Sequence, residues 1–190
     1  GQPWVATRER DRLWQLLQAE RALDSAGVGD DMLQARYRTD PQWELTVRHL
    51  LILSPRYESE ATRSQARAKA QRALARITAG EEFPAVAAEL SEEPGAEGRQ
   101  GLLTPGREGS WVSEFWNAAL SLEPGEISGV VETRYGFHVL RLEDRRVVPF
   151  EEARTGTLLD AARMLAELDT SAGTAPPPPG LTLDEEALRD

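Results

Sequence analysis

Two histidines are present in the 190-residue sequence, His49 within VRHLLIL and His138 within YGFHVLRL, each in an apolar run that alternates like a β-strand. An imidazole can carry a proton, ligate a metal or hydrogen-bond inside a core. Metal ligation is poorly served, because cysteine is absent and a third ligand would have to be a carboxylate that no spacing identifies. A nucleophilic triad is no better served, since no serine sits in a nucleophile-elbow context. Taken alone, two strand histidines are as well explained by core residues with satisfied nitrogens as by a site. Trp111, Phe115 and Trp116 pose the same choice. Trp111 and Phe115 are one helical turn apart and can form one apolar wall, whereas Trp116 equally suits anchoring its helix to a core.

The elements that must position these side chains follow from hydrophobic period. Residues 43–54, WELTVRHLLILS, read as a strand with Thr46, Arg48, Leu50 and Ile52 on one face and Val47, His49, Leu51 and Leu53 on the other. Pro55 stops it. The following segment is helical, with Ala66, Ala70, Ala73, Leu74 and Ile77 as its apolar set, a basic solvated face, and Gly80 at its end. EEFPAVAAELS is a second helix. Residues 92–110 are rich in glycine and proline and read as an irregular loop with a short strand at Leu102–Leu103. WVSEFWNAALSL returns to helix, and ISGVVET and GFHVLRLEDRRVV are two strands. That order predicts an α+β domain around one antiparallel sheet.

Helices are also expected at both ends. Residues 8–24 carry Leu13, Trp14, Leu16, Leu17, Ala19 and Leu23, and a second helix over 30–38 is expected to start at a capping Asp30. Residues 151–168 repeat Leu158, Leu159, Ala162, Leu165 and Leu168 at helical spacing. The segments read as accessory helices over 1–42, a sheet domain over 43–148, a further helix over 149–170, and over 171–190 a linker with Pro176 to Pro179 followed by an acidic end. Short amphipathic helices cannot bury their leucines alone. Packing the two ends together into a lobe, or forming a homodimer through them, would satisfy them equally.

Composition excludes some classes. The net charge is -10, with 9 acidic against 3 basic residues over 151–190, so no broad cationic face exists for nucleic acid. No run of 18 apolar residues is present to span a membrane, and the start GQPWVATRERD has no signal-peptide pattern.

The stretches VRHLLIL (47–53), AGEEFPAVAAELSEEPGA (79–96) and GREGSWVSEFWNAALSLEPGEISGVVETRYGFHVLRLED (106–144) together resemble the parvulin-type peptidyl-prolyl isomerases, in particular the envelope-associated branch with accessory helices. The resemblance covers about residues 44–146. It implies a parvulin-like, FKBP-like four-stranded antiparallel sheet surrounded by helices. It further implies that His49 and His138 lie paired beneath a peptide-binding surface, that the family's acidic position falls on Glu93, and that Thr133 matches its threonine. Trp111 and Phe115 fall on the positions that hold the substrate proline ring and Phe137 on the apolar position just before the second histidine, so the resemblance implies His49, Glu93 and His138 as catalytic and Trp111, Phe115, Thr133 and Phe137 as substrate-binding. The implied reaction, rotation about X-Pro bonds of unfolded or extended polypeptides, uses no cofactor and no metal. The implied location is the periplasm or cell envelope, or outside the cell, after removal of a leader.

Departures from the family pattern concern turnover more than fold. RQGLLT (99–104) keeps only Gly101 of a glycine-rich segment, with Leu102 in place of an acid and Thr104 in place of a second glycine, and Tyr135 replaces a small or polar residue before GFH. The rival expectation is therefore a noncatalytic chaperone or peptide-binding module on the same fold.

Overall fold

A computed structural model of the protein describes residues 3–55 and 57–172. The chain divides into two units: residues 41–148, and the helical segments on either side of them. In the first unit, β1 (Trp43–Leu53), α3 (Glu60–Thr78), α4 (Phe83–Leu90), α5 (Ala96–Arg99), β2 (Gly106–Arg107), α6 (Ser113–Leu120), β3 (Val131–Thr133) and β4 (Gly136–Val147) follow in order, after α1 (Pro3–Ser25) and α2 (Asp30–Thr39) and before α7 (Phe150–Ala172).

The sheet is four-stranded and antiparallel, ordered β2-β1-β4-β3. Its centre is the long β1/β4 pair, in which His49 stands opposite Leu140 and His138 opposite Leu51. Thr46 pairs with Asp144 but Val47 with Leu142, so Glu143 is an extra residue in β4, a β-bulge. Alternation gives the sheet two faces. Leu50, Ile52, Phe137 and Val139 pack under α3 and α4 with Ala70, Ala73, Ile77, Phe83 and Val86, where the small alanines let the helix approach the strands. Leu45, Val47, Leu140 and Leu142 pack on the opposite face under Phe115, Trp116 and Ala119 of α6. Burying these two apolar layers supplies the driving force of the domain.

Local chemistry sets the element ends. Ser59 caps α3, its hydroxyl accepting from the Thr62 N–H at 3.2 Å. Leu103 donates to the Val47 carbonyl at 3.0 Å and His49 to the Gly101 carbonyl at 2.8 Å, so residues 101–103 run along the edge of β1. The short strand expected at Leu102–Leu103 is thus one isolated bridge, Arg48 to Leu102, and the ladder proper lies at Gly106–Arg107.

The second unit packs α1, α2 and α7 together through Ala19, Leu23, Leu33 and Leu158, with Leu16, Phe150, Leu159 and Leu165 beside them. Tyr37 and Phe150 rings lie 5.6 Å apart, and Arg154 pairs with Asp30 at 2.8 Å. Asp30 does not cap α2 as expected: Gly29 holds the cap position and the Asp30 carboxylate is spent on Arg154. The apolar arc of α1 is wider than its partners among the described residues cover. Leu16, Ala19 and Leu23 turn inward, while Leu13, Trp14 and Leu17 are exposed. The proline run and acidic end expected over 171–190 lie, from residue 173 onward, outside the described residues.

Candidate active site

Strand parity places His49, Leu51 and Leu53 of β1 on the face that carries α6, and pairing with β4 sets His138 beside His49. Both imidazoles are buried, each about 4% exposed. Their rings stack with centroids 5.6 Å apart and a 22° tilt, and the two Nδ1 atoms are 3.3 Å apart. His49 Nε2 lies 2.9 Å from Glu93 Oε2, and His138 Nε2 lies 2.9 Å from the Thr133 hydroxyl, which also accepts the Tyr135 N–H at 3.2 Å.

These distances determine a direction for the protons. A carboxylate only accepts, so His49 Nε2 carries hydrogen and donates to Glu93. In the neutral state His49 Nδ1 is then an acceptor, which requires His138 to donate from Nδ1 and accept at Nε2 from the Thr133 hydroxyl. Every polar atom in the chain from Tyr135 N–H to Glu93 is satisfied by this single assignment. Burial, aided by the electrostatic influence of His49 and opposed by the Glu93 charge, pushes His138 down to about 3. It is therefore neutral at pH 7. The hydrogen bond from His49 holds the Glu93 carboxyl below its ordinary range, so it is ionised. Glu93 Oε2 also accepts from Arg99 at 2.9 Å, which commits that oxygen to two donors.

Two close approaches set the frame. A Cβ on Gly101 would stand 2.2 Å from the His49 carbonyl oxygen, and its φ is +74°, so only glycine permits the loop to lie against β1 at the histidine. A Cβ on Gly106 would meet the Trp111 ring at 2.7 Å, which seats that indole on bare backbone. Phe115 stands edge-on to both histidines, 5.5 Å from His49 and 5.4 Å from His138, and Trp111 lies 5.2 Å from Phe115. A cleft of about 900 Å³ opens above this floor, bounded by Trp111, Phe115, Leu51, Leu53, Glu93 and Tyr135 among others.

The structure thus brings together His49, Glu93, His138, Trp111 and Phe115 on one cleft. Thr133 is fully buried and does not line the cleft; it holds His138 from behind. Phe137, expected among the substrate-binding residues, lies on the opposite face, packed in the core under α3 with the guanidinium groups of Arg63 and Arg67 5.6 and 5.7 Å from its ring centroid. Adjacent strand residues point to opposite faces, so Phe137 and His138 cannot both face one cleft. Trp116 belongs to the core. Leu51 and Leu53 share the parity of His49, the signal that identifies them as lining residues; Gly106, Arg99 and Arg134 carry no comparable signal.

The comparisons with known proteins agree with this arrangement. A rotamase family model, described as the PPIC-type PPIASE domain, matches residues 49–144. Foldase protein PrsA 3 of Bacillus anthracis is 27% identical over 151 residues, covering 79% of this chain and 49% of that protein. Chaperone SurA of Chromohalobacter salexigens is 40% identical over 104 residues, 54% of this chain and 23% of its own. The chain therefore spans about half the length of the first relative and about a quarter of the second. Among solved structures, PrsA of Bacillus cereus has the same fold at a TM-score of 0.55 and 23% identity, covering 92% of this chain and 63% of that one. A PpiC-type peptidyl-prolyl cis-trans isomerase domain superposes with a TM-score of 0.51 at 28% identity, covering 56% of this chain and 94% of that domain. A family match that spans half of the sequence and runs from His49 past His138, on a sheet that joins those two residues, means that the chain belongs to the PPIC-type rotamases.

Proposed function

We propose that the cleft catalyses cis/trans rotation of X-Pro bonds in polypeptide segments. The observation that carries this reading is the aromatic wall, Trp111 and Phe115, standing over a buried, hydrogen-bonded histidine pair. Rotation breaks no covalent bond. Its barrier, roughly 18–20 kcal/mol for a peptide bond, comes from lost amide resonance. A catalyst must therefore hold the twisted amide better than either planar form.

The planar amide is the charge-separated form, so an apolar wall beside an uncharged imidazole disfavours it relative to the twisted state. Uncharged His138 suits that role. The proline ring, apolar and without a donor, is held by Trp111 and Phe115, while His49 and His138 form a floor whose polarity is already oriented. Glu93 acts through His49: ionised and anchored by Arg99, it fixes the tautomer and the ring plane. Thr133 does the same for His138. Both are positioning residues.

The names foldase and chaperone on the relatives, with the resemblance to the envelope-associated branch, support action on exported polypeptides in the periplasm or cell envelope. A holdase contribution is supported by Leu13, Trp14 and Leu17, which are 67%, 59% and 40% exposed on α1.

Exchange NMR on short X-Pro peptides tests the catalytic reading. The wild type should accelerate exchange, and Trp111→Ala, at a partly exposed position, should lower kcat/KM about tenfold, roughly 1.4 kcal/mol of transition-state stabilisation. Phe115→Ala should cost more, with a thermal melt to confirm that it folds. Peptide shifts without acceleration in the wild type would instead assign a noncatalytic binding module.

A further inference from the structure

We infer that Arg134 selects client segments carrying an acidic side chain within about four residues of the proline. This rests on the isomerase reading for where the proline sits. Arg134 and Tyr135 form the turn between β3 and β4, and both line the cleft. The guanidinium stacks 4.9 Å above the Tyr135 ring and donates from one terminal nitrogen to the phenol oxygen at 2.8 Å. A phenol can orient an arginine but cannot neutralise it.

Among the described residues, no carboxylate lies within ion-pair distance of Arg134. Other arginines of this unit are paired with carboxylates: Arg63 with Glu132, Arg99 with Glu93, Arg48 with Glu143 and Arg145 with Glu123. Arg134 is thus a cation at the cleft whose charge the described fold leaves unmatched, on a protein of net charge -10. The other full charges among the described lining residues are Glu93, occupied by His49 and Arg99, and Glu114 in the first turn of α6. Among the described lining residues, Arg134 is the one cation that can attract a carboxylate.

The register gives the spacing. His138 is opposite Leu51 and Gly136 is opposite Leu53, so the turn lies beyond Gly136, about 10 Å from the histidine at about 3.3 Å per strand residue. An extended client covers that span in about three residues, and the arginine side chain adds reach. Exposed Leu53 and Tyr135, 47% and 48% accessible, supply apolar contact along the way.

The test uses the full chain and Ser/Ala nonapeptides with a central proline, carrying Glu, Gln or Lys at each other position in turn. Turnover is read by exchange NMR and affinity by shift titration. At the best position the Glu peptide should exceed its Gln counterpart in kcat/KM and in affinity about threefold, as a partly screened ion pair gives, and the advantage should fade at high salt. Arg134→Gln should bring the ratio to about one, Arg134→Glu should favour the Lys peptide, and Arg134→Lys should keep the acidic preference. An equal ratio in wild type and Arg134→Gln, or no position with a preference, overturns the inference. If no peptide is turned over, the isomerase reading fails, while the ratio of dissociation constants still decides the role of Arg134.

Discussion

At the scale of single residues, the histidine pair is a structure of directed hydrogen bonds, and its chemistry follows from which atoms can only accept. His138 binds a proton in the unfolded chain below about pH 6.5, yet in the folded chain only near pH 3. Its contribution to stability is complete above 6.5 and is lost as pH falls toward 3. Glu93, whose folded carboxyl titrates below its ordinary value of 4.5, acts with the same sign at more acid pH. Urea midpoints should therefore rise steeply from pH 4 to 6.5 and level off above, and His138→Phe should flatten that rise. A wild-type curve that is flat over this window would contradict the buried neutral imidazole. Thr133→Val leaves His138 Nε2 without its donor in a buried place, and should lower stability by about 1–3 kcal/mol, read from the same titrations at pH 7. Because Thr133 is fully buried and does not line the cleft, its loss should reduce turnover through a displaced ring, visible as changed imidazole nitrogen shifts.

At the scale of elements, the site depends on three pieces of backbone meeting: the middle of β1, the start of β4, and the loop that ends α5. Gly101 makes the third possible. Gly101→Ala would force a Cβ to within 2.2 Å of the His49 carbonyl at a positive φ. It should cost at least about 2 kcal/mol, as a backbone clash at a strained position does. Thermal melts measure the loss, and imidazole shifts report whether His49 leaves Glu93. The amino-acid pattern makes Gly101 visible as a glycine of a loop, but not its contact, because the carbonyl it faces is 52 positions earlier in the chain. The same holds for Phe137. Its apolar type suits a ring-binding wall and a core equally well, and only parity relative to His138, combined with knowledge of which face α6 covers, assigns it to the core.

For the whole molecule, each unit has its own apolar core, the sheet's two layers in one and the α1, α2 and α7 cluster in the other. The exposed arc on α1 should therefore be separable from the cleft. A Trp14→Ser, Leu17→Ser double variant of the full chain should lose at least half of its ability to suppress aggregation of a chemically denatured protein, while X-Pro turnover stays within about twofold. Sedimentation of both proteins distinguishes a client surface from homodimer formation: a wild-type dimer that becomes a monomer in the variant would assign the arc to self-association. By itself, the sequence determined the kind of each major element and the partition of each strand into two faces, because hydrophobic period is a local property of the chain. The expected meeting of Trp111 and Phe115 holds at 5.2 Å, but not as two residues of one helix, since α6 begins at Ser113 and Trp111 precedes it. Tertiary structure alone decided which strands pair and in what register, bringing His49 within hydrogen-bond range of a residue 89 positions away. It likewise decided that Glu93 faces His49, that Thr133 supports the site from within the core, and that Arg134 reaches the cleft with no carboxylate among the described residues at ion-pair distance. Those outcomes depend on contacts between segments distant in sequence, and such contacts leave no trace in local periodicity.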